Sequence, residues 1–482
     1  MKTVKISSFL KERKIKLKPQ AANCSGLQRI EKIDFSGKIY LSPVQTNTDM
    51  ILVKSGDLVI SGINVEKGAL AIYTGEEDAL ASIHYSAYEF DAEKIDIDYL
   101  KWFLKSNIFR KLLLKQTGSG IKKEIKAKHL LPIEIQLPSL KQQHEIVQQI
   151  QGVANYIEEV NRQIQQQAKY AEMLRQSILQ QAVEGKLCEQ DPKDEPASVL
   201  LEKIKAEKER LVAEKKIKKQ KPLPPISEEE KTFDLPKGWE WCRLGELVTS
   251  VTDGPHYSPE YHDKGIPFIS GRNITLKGID FSTAKFISPQ LHEELSKRCR
   301  PETGDILYTK GGETGKAVVN DIDFEFNVWV HVAVLKPSTF VYNKYLALAL
   351  NSPHCYALSQ KYTHGTGNRD LGLTRMIKIT VPLPPANEQQ RIVQRVTKLM
   401  GQCNLLEREL SISKKYASQL MESVLQEAFS VQETAKPAQV IEFHPDQTIP
   451  ETELLAAARG KIREDTWEHL CKRALEIAGE EG

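Results

Sequence analysis

Between Ile146 and Ala182 the apolar or small residues fall at steps of three and four: Ile146, Ile150, Val153, Ile157, Val160, Ile164, Ala168, Ala171, Leu174, Ile178 and Ala182. This is the seam of a coiled coil, and it predicts one long helix over 142–183. The seam returns at Ile392, Val396, Leu399, Cys403, Leu406, Leu410, Lys414, Ala417, Leu420, Val424 and Ala428, each 246 positions after its counterpart. The register also holds for Leu137-Pro138 with Leu383-Pro384 and for Lys169-Tyr170-Ala171 with Lys415-Tyr416-Ala417. One such seam is ordinary core packing. A gapless second copy half a chain later means that the chain is built twice.

Residues 1–136 read as a first globular unit. Short β-type runs (38–41, 50–54, 57–61, 69–73, 81–85) are followed by a helix over 98–116, a glycine-rich turn 117–120 and a strand 133–137. Residues 137–187 hold the first long helix, and 188–233 a charged linker with a shorter helix inside 200–221. Residues 234–382 form a second unit that repeats the first only at its framework: Ile33-Asp34-Phe35-Ser36 returns as Ile279-Asp280-Phe281-Ser282, and Tyr99-Leu100 as Tyr345-Leu346. The second long helix occupies 383–430, and 431–482 is a linker with a helical tail. Two stripes of equal length in one chain bury each other most simply as an antiparallel pair, which sets one unit at each end of a rod. About 42 helical residues span roughly 60 Å, nearly two turns of B-DNA.

At 482 residues the chain exceeds one core, and its 40% hydrophobic and 27% charged content is that of an ordinary globular protein. No apolar run is long enough for a membrane span. Seven scattered cysteines with no CxxC pair argue against a zinc site or a disulfide framework and for a reducing cytoplasm. The net charge of +3 names no partner, so electrostatics must come from patches. No strand–GxGxxG–helix, HExxH or paired Cys/His motif is present, and no Asn-Pro-Pro-aromatic tetrapeptide. The loop Thr309-Lys310-Gly311-Gly312-Glu313-Thr314-Gly315-Lys316 fails as a P-loop, because Ala317 stands where Ser or Thr should follow the lysine. The chain reads as non-catalytic, with neither a cofactor nor a metal of its own.

Nine Lys/Arg between Lys101 and Lys128 face a single acid, Glu124. Such a block can neutralise phosphates, the largest sequence-independent part of DNA affinity. Candidate DNA-contacting residues in the first unit are therefore Lys115, Ser119, Lys122, Lys123 and Lys126. In the second unit they are His256, Tyr257, Arg272, Asn273, Thr309, Lys310, Lys316, Asn368 and Arg369, all at expected loops or turns, with Lys310 and Lys316 expected to be presented outward. The sharpest basic run, Lys215–Lys221, reads as the solvated end of the linker helix.

Leu383-Pro384-Pro385-Ala386-Asn387-Glu388-Gln389-Gln390-Arg391-Ile392-Val393 opens the second long helix. Leu235-Pro236-Lys237-Gly238-Trp239 opens the second unit, and Gly304-Asp305-Ile306-Leu307-Tyr308-Thr309-Lys310 lies inside it. Together these stretches resemble the specificity (S) subunit of bacterial type I restriction–modification enzymes over about residues 1–430. The first half lacks the Leu-Pro-x-Gly-Trp lead and has Ser139-Leu140 in place of Pro385-Ala386. The resemblance implies an α+β fold: two mixed α/β target recognition domains separated by two long antiparallel coiled-coil helices in a pseudo-twofold internal repeat. It implies that each domain reads one half of an asymmetric, split double-stranded DNA target. It also implies that the helices set the spacer and dock two adenine methyltransferase (modification) subunits. Those partners would bind S-adenosylmethionine, and restriction subunits using ATP and Mg would join where present. A coiled-coil protein-interaction scaffold is the alternative, separated by salt-sensitive binding to one duplex and not to a scrambled one. A self-contained enzyme would be revealed by DNA methylation or cleavage by the chain alone.

Overall fold

The structure, a computed structural model, describes residues 2–18, 26–43, 48–117, 124–367 and 369–430. The expected tail beyond 430 lies outside the described residues, and so does the turn at 118–120.

Two long helices, α3 (Leu140–Val183) and α7 (Ala386–Phe429), form the rod, each 44 residues long and thus about 66 Å. They run antiparallel. Phe429, at the end of α7, packs edge-on against Tyr99 and Phe103 beside the start of α3. At the other end, Ile178, Ala182 and Val183 share a core with Ile392 and Val396. One turn before Ile178 on α3, Arg175 donates to Glu407 (3.0 Å) and Asn404 (2.5 Å). Each helix thus leaves one globular unit and ends on the other.

The seam is narrower than its sequence pattern. Ile150, Ile157, Ala171 and Ile178 on α3, and Val396, Cys403, Leu410 and Ala417 on α7, are buried at heptad steps. Apart from Ala182 and Ile392, which are buried in the core of the second unit, the alternate seam positions are at best half-buried, and Ala168, Lys414 and Leu420 stand exposed. Two helices meeting along one position per heptad cannot cover a stripe wide enough for a larger bundle.

The units on either end share their framework. In the first, a four-stranded antiparallel sheet runs in the order Leu10–Glu12, Tyr85–Phe90, Leu58–Ser61, Leu70–Ile72. In the second, the order is Val248–Asp253, Val332–Pro337, Ile306–Thr309, Ala317–Val319. Each unit also closes its entry strand antiparallel on the strand before the long helix, Lys2–Lys5 on Glu134–Leu137 and Glu240–Arg243 on Thr380–Leu383. A second sheet differs: five strands in the first unit, three in the second.

The expected single helix over 98–116 is two, α1 (Ile97–Lys105) and α2 (Asn107–Thr117). Ser106 breaks it, donating to the Phe103 carbonyl and accepting from Phe109 N–H. The second unit repeats this break between α5 (Asn343–Leu350) and α6 (Pro353–Tyr362), where Ser352 donates to Ala349 O and accepts from Cys355 N–H. The expected strand over 81–85 belongs to two sheets, as Ala79–Ser82 and Tyr85–Phe90, with a turn between them. The linker helix α4 (Ala197–Ala213) ends earlier than expected. Lys215 adopts a left-handed φ of 58°, Lys216 and Ile217 N–H bond back to Leu211 O, and from Lys218 the chain has no regular secondary structure. The basic run therefore begins at the helix end and continues beyond it.

One buried glutamine joins each unit to the rod. Gln143 Nε2 donates to Pro138 O (2.9 Å), and its Oε1 accepts from Asp96 N–H (2.8 Å). Gln389 Nε2 donates to Pro384 O (3.0 Å), and its Oε1 accepts from Tyr342 N–H (2.9 Å). Every partner is displaced by 246 positions. Removing such a side chain strands buried backbone groups. Gln389→Ala should therefore cost roughly 1–3 kcal/mol, and Gln143→Ala a similar amount. Urea unfolding of each variant checks this; a cost confined to one of them would break the equivalence of the two joints.

Candidate nucleic-acid interface

On the second unit, loops from six places in the sequence converge. Val248–Asp253 ends the edge strand of its sheet, and Gly254 follows; a Cβ there would lie 1.8 Å from Val328 O, so the chain passes only as glycine. This tight passage sets His256 and Tyr257 beside Trp329, whose Nε1 donates to Tyr257 O (3.1 Å). Trp329 packs on His331 with ring centroids 4.6 Å apart. The turn carrying Arg272 and the Gly311-Gly312 loop both approach His331.

A row of alternating charges crosses the convergence. Arg298 reaches Asp253 Oδ1 (2.5 Å), while Lys310 Nζ approaches Asp253 Oδ2 (3.4 Å) and meets Asp370 Oδ1 (2.8 Å). Arg375 closes the row on Asp370 (3.3 Å). His256 adds a 3.2 Å contact to Asp253 Oδ2. The centre is buried, with the Asp253 and Lys310 side chains 3% and 4% exposed, and its flank is open, with Arg298 and His256 61% and 63% exposed. Burying Lys310 costs several kcal/mol unless it is paired and hydrogen-bonded. Two carboxylates and the Val330 carbonyl (3.2 Å) meet that requirement. Burial and the neighbouring Lys310 charge lower the His331 pKa, so the ring stays neutral at the centre of this face.

The expected contact residues divide accordingly. His256, Tyr257, Arg272 and Arg369 are exposed on this face or its rim. Arg369 donates to Gln360 Oε1, and its carbonyl accepts from Gly312 N–H. Lys310, expected to be presented, is instead the buried hub. Thr309 is buried and accepts from Lys316 N–H (2.9 Å), closing the loop, and Lys316 pairs with Glu313. Asn273 is buried too; it accepts from Ser270 N–H and donates to Asp280 O, which shapes the turn that holds Arg272 out. In the first unit Lys115 is exposed, and Lys126 is exposed but pairs with Glu124, which also meets His84. Ser119, Lys122, Lys123 and Asn368 lie outside the described residues. Sequence reasoning missed Arg298, Trp329, His331 and the two organising acids. Trp329-Val330-His331 was the available signal, but in a β-type run it reads the same as core.

The molecule is thus of a class that holds two related α/β units apart on a self-paired helical rod, the second bearing a cationic and aromatic loop face. Residues 236–413 match the family of the type I restriction modification DNA specificity domain. The chain is 32% identical over 255 residues to the type I restriction enzyme EcoAI specificity subunit of Escherichia coli, and 31% over 264 residues to the EcoEI specificity subunit of the same species. Each match takes in 52% of this chain and 43% of the relative, so the chain spans less than half the length of these relatives. A solved chain from work on complex assembly and conformational transition of the type I R-M system shares the fold. Its TM-score is 0.64 at 17% identity, over 89% of this chain and 97% of that one. Among the described residues no helix is long and apolar enough to cross a membrane.

Asp253→Asn should cost on the order of 3 kcal/mol, because Lys310 keeps only part of its compensation in a buried place. Lys316→Ala, which breaks a solvent-exposed pair, should cost less than about 1 kcal/mol; denaturant titration ranks the two. His331 has its folded pKa below the unfolded one, so its contribution is present above about pH 6.5 and is lost as pH falls below that. Between pH 7.5 and 5.5, His331→Gln should therefore lose less thermal stability than the parent chain.

Proposed function

We propose that this chain is the DNA-specificity subunit of a type I restriction–modification system, non-catalytic in itself. Each globular unit reads one half of an asymmetric bipartite target in double-stranded DNA, and the rod fixes the spacer. The antiparallel pairing of α3 and α7 carries this reading. It sets two non-identical faces at opposite ends of about 66 Å of helix, and the second face offers cations and stackable rings on tightly packed loops. The rod also supports a docking role. Along α7, Leu405, Ile412, Tyr416 and Leu420 stand exposed at near-heptad steps, and Tyr156 and Met173 are exposed on α3. Two methyltransferase (modification) subunits, one per helix, would cover these positions. S-adenosylmethionine would enter with them, and ATP and Mg with a restriction subunit where the system has one. The working compartment in this reading is the cytoplasm.

Selection from a random duplex pool, using the full chain with its methyltransferase, should return two dissimilar half-sites at a fixed spacing. Exchanging residues 1–136 for another such unit should change one half-site only; enrichment of no sequence would overturn the reading. Deleting one matched heptad from both helices removes about 10 Å of rod and should shorten the selected spacer by about three base pairs.

A further inference from the structure

The linker run Lys215-Lys216-Ile217-Lys218-Lys219-Gln220-Lys221 places five lysines within seven residues, all exposed. A solvated tail could carry them without consequence, but this segment is held in place at both ends. Upstream, α4 is seated in the second unit's core through Ala197, Leu200 and Ile204, and Lys216 N–H and Ile217 N–H both donate to Leu211 O. Within the run, Lys208 Nζ bridges Gln220 Oε1 (3.0 Å) and Gly245 O (2.6 Å). Downstream, the buried Arg243 donates to Pro224 O, Pro225 O and both carboxylate oxygens of Glu230. The guanidinium holds the Glu230 pKa down at about 2, so the clasp stays charged at neutral pH. Among the described residues Lys216 is the member of the run with an ion-pair partner, Glu214; Lys215, Lys218, Lys219 and Lys221 have none. An ordered row of like charges pressed against the protein repels itself and is relieved by a polyanion.

A relay of contacts joins the Glu230 clasp to the loop face of the second unit. Tyr362 OH donates to Glu230 (3.4 Å), and Tyr362 O accepts from Arg375 Nε (2.9 Å), the arginine that ends the Asp253–Lys310–Asp370 series. Even if fully extended, the seven residues would reach at most about 23 Å, over which B-DNA presents roughly a dozen phosphate charges. That density suits the run better than the scattered acids of a protein surface. We propose that Lys215, Lys218, Lys219 and Lys221 form a sequence-independent contact with the duplex backbone just outside the half-site read by the second unit. This rests on the DNA-reading function proposed above and extends its footprint beyond the target.

The test compares the full chain with a variant carrying Lys215→Gln, Lys218→Gln, Lys219→Gln and Lys221→Gln, surface changes that leave the core and the Arg243 clasp intact. Three labelled duplexes carry the selected target: one with flanks on both sides, one trimmed flush at the first unit's half-site, one trimmed flush at the second's. Affinity is measured from low to moderate KCl. On the first two probes the slope of log affinity against log salt should fall by roughly 3–4, at about 0.9 for each phosphate no longer neutralised. On the third probe the parent and the variant should agree. Charge reversal to glutamate should deepen the same pattern. Equal slopes on the flanked probe, or the same reduction on all three, would overturn the proposal. So would unchanged DNA binding with loss of the co-purifying methyltransferase, which would assign the lysines to an acidic protein surface. If no target is selected, the function reading fails on its own. Random-sequence duplex then replaces the target, and an unchanged slope there overturns the lysine contact as well.

Discussion

The fold depends on one packing event, the burial of a single position per heptad between two helices that belong to the same chain. Ile150, Ile157, Ile178, Val396 and Leu410 each contribute on the order of 1.5–3 kcal/mol for a fully buried aliphatic side chain. Because the partners are covalently joined, none of this is spent on the translational entropy that separate chains would lose. The polar contacts of Arg175 with Glu407 and Asn404 then select the register. A slip by one heptad would keep the apolar seam and lose these bonds, so direction and distance are set by different parts of the same interface.

A rod transmits distance only if its ends are rigidly attached, and here the attachment is polar. Gln143 and Gln389 do at the two ends what no aliphatic side chain could: each satisfies a carbonyl on the strand–helix turn and the N–H that opens an earlier helix of its unit, α1 or α5. Phe429 adds an aromatic clamp on Tyr99 and Phe103. Position and angle are thus over-determined at each joint, as the proposed reading of a split site would require.

The rod was legible because a heptad repeat is a one-dimensional signal and a 246-residue offset is an exact one. The resemblance carried by 235–239, 304–310 and 383–393 agrees with the family matched over 236–413. The half-exposed side of the seam was not legible, since spacing does not say how many helices share a stripe. Lys310 shows the limit at the site: a lysine between glycine-rich turns reads as presented, and only the fold brings Asp253 and Asp370 from 57 and 60 residues away to bury it. Thr309 and Asn273 are alike in this respect, polar residues at turns whose bonds are spent inward.

That difference explains how one framework can hold two dissimilar faces. The joints, helix breaks and sheet order are fixed mainly by bonds to backbone atoms, which tolerate change in the side chains around them. Asp57 and Asp305 illustrate the tolerance: each accepts from the backbone three residues earlier, Lys54 N–H or Glu302 N–H, but Arg13, just after the Leu10–Glu12 strand, neutralises the first, and Lys336, within Val332–Pro337, the second. The acid is framework and its cation is replaceable. The Asp253–Lys310–Asp370 row extends the same logic to the loops. It locks their geometry with charges that cancel inside, and it leaves Arg298, His256 and Arg272 outside to vary. A face built this way gains shape without gaining much net charge; under the proposed function, discrimination there would come from geometry rather than from bulk attraction to phosphate.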